Sequence, residues 1–172
     1  AHAVRRQSQA RRGWARGGEE GTRDTKWGGC HRGTGGWKCT GLTDAELKSS
    51  AVPPSTLNRR GLLRHMTEVE RAWFRTRAAG ITLPDLYCTV EDTDGDFDNV
   101  AAASVEKAFA AFTAECLAAD EAVRAMSLEE TFLGRNGPIS LRWAYVHMIE
   151  EYARHNGHAD LLRECIDGAT GD

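Results

Sequence analysis

Residues 139–168, ISLRWAYVHMIEEYARHNGHADLLRECIDG, decide the fold, because they read as one long amphipathic helix carrying polar groups on its apolar side. Ser140 is an N-capping residue ahead of the first apolar position, and Gly168 is a C-terminal stop, so the helix runs to about Asp167. At 100° per residue, Leu141, Ala144, Tyr145, Met148, Tyr152 and Leu162 cluster on one side. Glu151 and His155 fall within the edge of that arc. His147 and His158 lie near its border, while Glu150 and Arg154 point farther out to solvent.

An inward-facing Glu four residues before an inward-facing His has two explanations. One is a neutral or ion-paired couple satisfied by its neighbours. The other is a metal site, since a carboxylate and an imidazole one helical turn apart can both reach one ion with bonds of about 2.0–2.2 Å. A third ligand is then needed. His147 is poorly placed for it, because eight residues of helix separate it from His155, a rise of about 12 Å. The ligand should come from another helix, and downstream of the Gly-rich segment the histidine outside this helix is His65, which lies on the apolar stripe of its own helix with Leu62, Val69 and Trp73. The chain contains no HExxH and no E-x-x-H, which excludes a zincin helix and a bundle di-iron site.

Working outward, the helix that carries His65 is expected over residues 56–79, with Ser55 or Thr56 as its cap after the Pro53-Pro54 break. A short turn of helix capped by Thr43 precedes that break. A third long helix is expected over residues 98–125, opened by Asp98. Its seam of Val105, Phe109, Phe112, Cys116, Ala119 and Val123 is the clearest in the chain and holds no ionisable group but Cys116. Between these helices, ITLPDLYCTVEDTDGDFDN (residues 81–99) fails as a calcium loop. With Gly95 as the turn glycine, positions one and twelve become Val90 and Ala101, neither of which offers a side-chain oxygen. It is expected to be a solvated loop, and LGRNGPIS (residues 133–140) a turn.

Residues 1–36 are a different kind of sequence. Up to Lys38 there are nine basic residues against three acidic ones, no Leu, Ile, Phe or Met, and nine of the 18 glycines. The remainder is acidic, and the whole chain nets −3. Such a segment cannot bury enough apolar surface to order itself, so residues 1–36 are expected to be disordered or atypical, with the folded domain over 37–172. Arg and Trp are the ingredients of a nucleic-acid arm, but no folded recognition motif accompanies them, and nucleic acid is not expected as a partner. Cys30, His31 and Cys39 match no standard zinc spacing. Five cysteines without a CxxC fit a reduced setting, and no run of about 18 apolar residues is present to span a bilayer. A cytoplasmic location and no membrane partner are expected.

GLLRHMTEVERAWF (residues 61–74), together with ISLRWAYVHMIEEYARHNGHADLLRECIDGATGD (residues 139–172), resembles the DinB-like superfamily, in an actinobacterial branch related to mycothiol-dependent maleylpyruvate isomerase. The resemblance covers residue 37 to the C-terminus. It implies an all-α four-helix bundle and a divalent metal, commonly zinc, held by His65, Glu151 and His155, the residues that spacing selects. It implies mycothiol as a small-molecule thiol cofactor, an electrophilic substrate, and a thiol-dependent transferase or isomerase activity. His158, Arg154 and Glu150 are then candidates to orient the ligands or touch substrate. Members begin with a long amphipathic helix, whereas the segment before Trp37 has no helical seam, so the first bundle helix is expected to be missing. The apolar groove this leaves predicts self-association, as in a homodimer. The alternatives are a non-catalytic metal-binding stress-response protein, or a member inactivated by damage to its N-terminus.

Overall fold

The computed structural model describes Arg32, residues 41–100 and residues 104–170. These form α1 (Asp44–Lys48), α2 (Arg59–Glu70, continued as a π-helix over Arg71–Ala78), α3 (Gly95–Asp98), α4 (Val105–Val123), β1 (Thr131–Gly134), β2 (Gly137–Ser140) and α5 (Leu141–Asp167). The fold is all-α apart from the small β1–β2 hairpin, in which Phe132 pairs with Ile139. Helix α2 packs on both α4 and α5, and the main apolar cluster lies among them, with Met66, Phe74, Phe112, Ala119, Tyr145 and Met148 buried, while a smaller one joins Leu62 of α2 to Ala159 and Leu162 of α5.

Local chemistry sets the boundaries. Thr43 and Glu46 form a reciprocal capping box on α1, and Ser140 accepts from the Trp143 amide at the start of α5. Gly168 ends α5 at φ 73°, a left-handed conformation that only glycine adopts without strain. Helix α2 starts later than the sequence suggests. Asn58, not Ser55 or Thr56, is its cap, accepting from the Gly61 amide.

The third long helix also starts later. Its N-cap is Ser104, while Asp98 closes the separate turn α3. The segment read as a turn before α5 is a hairpin whose strands, four residues each, are too short to show alternation.

The apolar seam of α4 carries an acidic group that periodicity assigns to water. Glu115 is 5 % exposed and bridges the π-helix, accepting from Arg71 at 2.9 Å and Arg75 at 2.7 Å. Burial raises the Glu115 carboxyl, but the two arginines outweigh it, and its pKa lies below the ordinary carboxylate range. Its contribution is therefore complete above that range and is lost as pH falls through the depressed value. Glu115→Ala leaves two facing guanidinium groups without their shared partner and is expected to cost about 3 kcal/mol in urea unfolding at neutral pH. The variant should also lose part of the acid sensitivity of the wild type. Unchanged stability at neutral pH would show that solvent already neutralises the pair.

Before Gly41, Arg32 is the described residue. Its Nε and Nη2 donate to both oxygens of Glu70 at 2.7 and 2.6 Å, and its Nη1 donates to Asp120 at 2.8 Å. The Glu70 side chain is 1 % exposed and also accepts from the Tyr152 hydroxyl at 2.6 Å. One guanidinium thus ties α2 to α4, beside a tyrosine of α5. The expectations that residues 1–36 are disordered and that a first helix is missing otherwise lie outside the described residues, as do Cys30, His31 and Cys39. Cys116 packs against the same network. Burial, and then the Glu70 charge, push its thiol up to about 12, so it behaves as a small apolar side chain. Among the described residues, no helix is long and apolar enough to cross a membrane.

Candidate functional site

Helix α2 presents His65 and α5 presents Glu151 and His155, and the three meet where the helices pack. One donor atom from each lies within 4.8 Å of the other two. Glu151 Oε2 is 3.3 Å from His155 Nε2, and the His65 and His155 rings meet edge-on with centroids 4.7 Å apart. Each side chain is mostly covered, with 14 % exposed for both Glu151 and His155 and 28 % for His65. Burial first, and then the neighbouring His65, push the His155 imidazole down to about 4 against the pull of Glu151. At neutral pH this ring is uncharged and has a lone pair to offer.

Most of the acidic loop is exposed, as its composition suggests, but its end is not. Gly95, Asp96 and Val100 are buried, because arginines of α2 reach out and bind its backbone. Arg64 donates to the carbonyls of Asn99 at 2.5 Å and Gly95 at 2.9 Å, and Arg60 donates to that of Val100 at 3.0 Å. The fastened loop holds Asp96 Oδ2 2.8 Å from His65 Nδ1. With that nitrogen engaged, Nε2 of His65 is left as the free donor. Sequence reasoning missed Asp96 because it weighed the DTDGDFD run only as a calcium loop. The available signal was that a ligating histidine needs a partner for its second nitrogen.

The other candidates are less central. Arg154 reaches within 3.8 Å of Glu151 Oε1 but is 62 % exposed. The His158 ring packs edge-on to His155 at 5.4 Å. Glu150 turns toward His147, 3.9 Å away, and not toward the three converging donors. His147 stands at the border of the cluster, with Nε2 3.6 Å from Glu151 Oε1. Its ring stacks on Trp143 at 5.0 Å and leans on Trp73 at 4.7 Å. A narrow cavity of about 30 Å³, lined by Leu62, Met66, Phe112, Tyr152 and His155, adjoins the cluster on its core side.

Two imidazoles and a carboxylate converging from two helices of an all-α fold narrow the comparison with known proteins. A family model described as mycothiol-S-transferase matches residues 29–168. The chain belongs to the mycothiol-S-transferase family. This is a DinB-like family, as the sequence resemblance implied. The fold is shared with a conserved protein of a locus from Enterococcus faecalis, which is 13 % identical, with a TM-score of 0.70 over 89 % of this chain and 100 % of that one. No curated protein sequence matches. Membership of the family points to mycothiol-related transfer chemistry, and the donor set suits the metal that such a resemblance implies. One donor is a neutral imidazole, one is an imidazole with its second nitrogen already engaged, and one is a carboxylate, a combination found around zinc.

Proposed function

We propose that this protein is a divalent-metal-dependent mycothiol S-transferase whose ion is held by His65, Glu151 and His155. The observation that carries the reading is the convergence of three donors within 4.8 Å, from two helices that pack on each other. Zinc is the metal that the donors favour, and three protein ligands leave an open position for a thiol. Bound there, the cation supplies the positive charge that stabilises a thiolate at neutral pH.

The chain's own residues do the rest. Glu151 offsets part of the ion's charge, and the buried faces of α2 and α5 restrict water around the sulfur. The cavity behind His155 has room for little more than a water, so the body of the thiol lies on the outer side, where Arg154 is exposed. Arg154, which is exposed beside Glu151, and His158, which packs on His155, are the residues proposed to contact the thiol or the electrophile. The sulfur forms a bond to an electrophilic carbon, and the displaced group leaves with the electron pair of the bond it breaks.

Titration of zinc-loaded and chelated protein with mycothiol tests this reading by calorimetry. The loaded protein is expected to bind the thiol at least about tenfold more tightly and to release a proton on binding, since the thiol must ionise at the ion. Equal affinity in both states would exclude thiol activation and leave a protein that binds metal without this chemistry.

A further inference from the structure

We propose that Asp96 is the positioning residue for the metal-binding face of His65, fixing its ring and its tautomer; this rests on the metal reading above. Three observations bear on it. Asp96 is 3 % exposed, although it sits in an acidic run that composition assigns to solvent. Its Oδ2 lies 2.8 Å from Nδ1 of His65, a hydrogen-bonding distance at which an accepting carboxylate puts the proton on Nδ1 and leaves Nε2 as the nitrogen with a lone pair for the ion that Glu151 and His155 would share. The turn that carries it has no freedom to drift. Arg64 holds the carbonyls on either side of it, of Gly95 and Asn99, and a Cβ at Gly95 would meet the Tyr87 carbonyl oxygen at 2.4 Å.

The contrast with the other imidazole sharpens the assignment. Nδ1 of His155 is buried without a hydrogen-bond partner among the described residues, so no carboxylate grips that side of the ring, which is held by packing and by Glu151 at its other nitrogen. His65 is the more exposed of the two rings, and among the described residues its ring neighbours are Phe97, 5.3 Å away, and His155. A loosely walled imidazole keeps one orientation only if something grips it. A buried carboxylate grips it and also makes the opposite nitrogen a better electron donor. A purely structural ion pair would give no reason for a donor atom of His65 to lie within 4.8 Å of donors on Glu151 and His155.

The test uses the full chain in wild-type, Asp96→Ala and Asp96→Asn forms, with two readouts. Zinc affinity is measured by competition with a chromophoric chelator, and the His65 tautomer is read from imidazole nitrogen shifts in zinc-free protein above the histidine titration range. Asp96→Ala is expected to weaken zinc about 10- to 100-fold and to move His65 from the Nδ1–H form toward the Nε2–H form that free imidazole side chains prefer. Asp96→Asn keeps the shape and an acceptor oxygen but not the charge, so its loss is smaller and Nδ1–H persists.

Zinc affinity within about twofold of wild type in both folded variants would overturn the proposal, because an outer partner of this kind carries at least a tenfold effect. An Nε2–H tautomer in the wild type would overturn it as well. If Asp96→Ala does not fold, the affinity of Asp96→Asn decides alone. Should wild type itself bind no zinc, the metal reading fails, while the tautomer of the zinc-free protein still decides whether Asp96 sets the ring.

Discussion

The His155→Ala variant is expected to carry no stoichiometric zinc after dialysis, and His65→Ala the same, whereas His147→Ala keeps it. Each of the first two changes removes one of only three converging donors. The loss should exceed the about 10- to 100-fold that outer partners of metal ligands carry. His147 is the informative control. It is the same residue type on the same helix, one turn from Glu151, yet its ring is committed to a stack between Trp73 and Trp143. Metal content by mass spectrometry, with thermal unfolding in chelator to confirm folding, gives the answer. Loss of metal in His147→Ala with retention in His65→Ala would replace the assignment with one confined to α5. Activity with mycothiol should follow metal content across the series.

The second large effect concerns stability. Arg32→Ala leaves the Glu70 carboxylate buried between helices with Tyr152 as its remaining described donor, and breaking a buried pair in this way costs about 3–5 kcal/mol. Against a total of about 5–15 kcal/mol for a domain, that is a large share of the stability of the fold. The double variant Arg32→Met with Glu70→Gln separates packing from charge. It keeps the long side chain and a neutral acceptor for Tyr152, so it should recover most of the loss. Chemical denaturation of the three proteins measures this. An Arg32→Ala protein as stable as wild type would mean that Glu70 is solvated in solution.

Much of this site was legible because helical periodicity is a strong signal. The i, i+4 spacing of Glu151 and His155 and the stripe position of His65 are properties of single helices, and each helix formed. What was illegible depends on contacts across the fold. Nothing local to Glu115 marks it as buried, since its partners Arg71 and Arg75 lie 44 and 40 residues away. Asp96 became a partner of His65 only because Arg60 and Arg64, which periodicity would send to solvent, turn back to hold the loop. The shift of the third helix from Asp98 to Ser104 has a similar origin. Asp98 is a good cap by type, but it already closes α3, whose Gly95 and Asp96 are buried against α2. The π-helical continuation of α2 has no composition signature at all.

The fastening of residues 95–100 by Arg60 and Arg64 also orders the assembly of the site in time. Those ties, and the His65–Asp96 contact, span 31 to 40 residues, whereas His65 and the α5 donors are 86 and 90 positions apart in the chain. Short loops close with less entropy lost, so the contacts of the Asp96 half are the cheaper ones to form first. A metal bound by His65, Glu151 and His155, as proposed above, would join the two halves and bind the folded chain alone, so it would add its binding free energy to the stability of the fold.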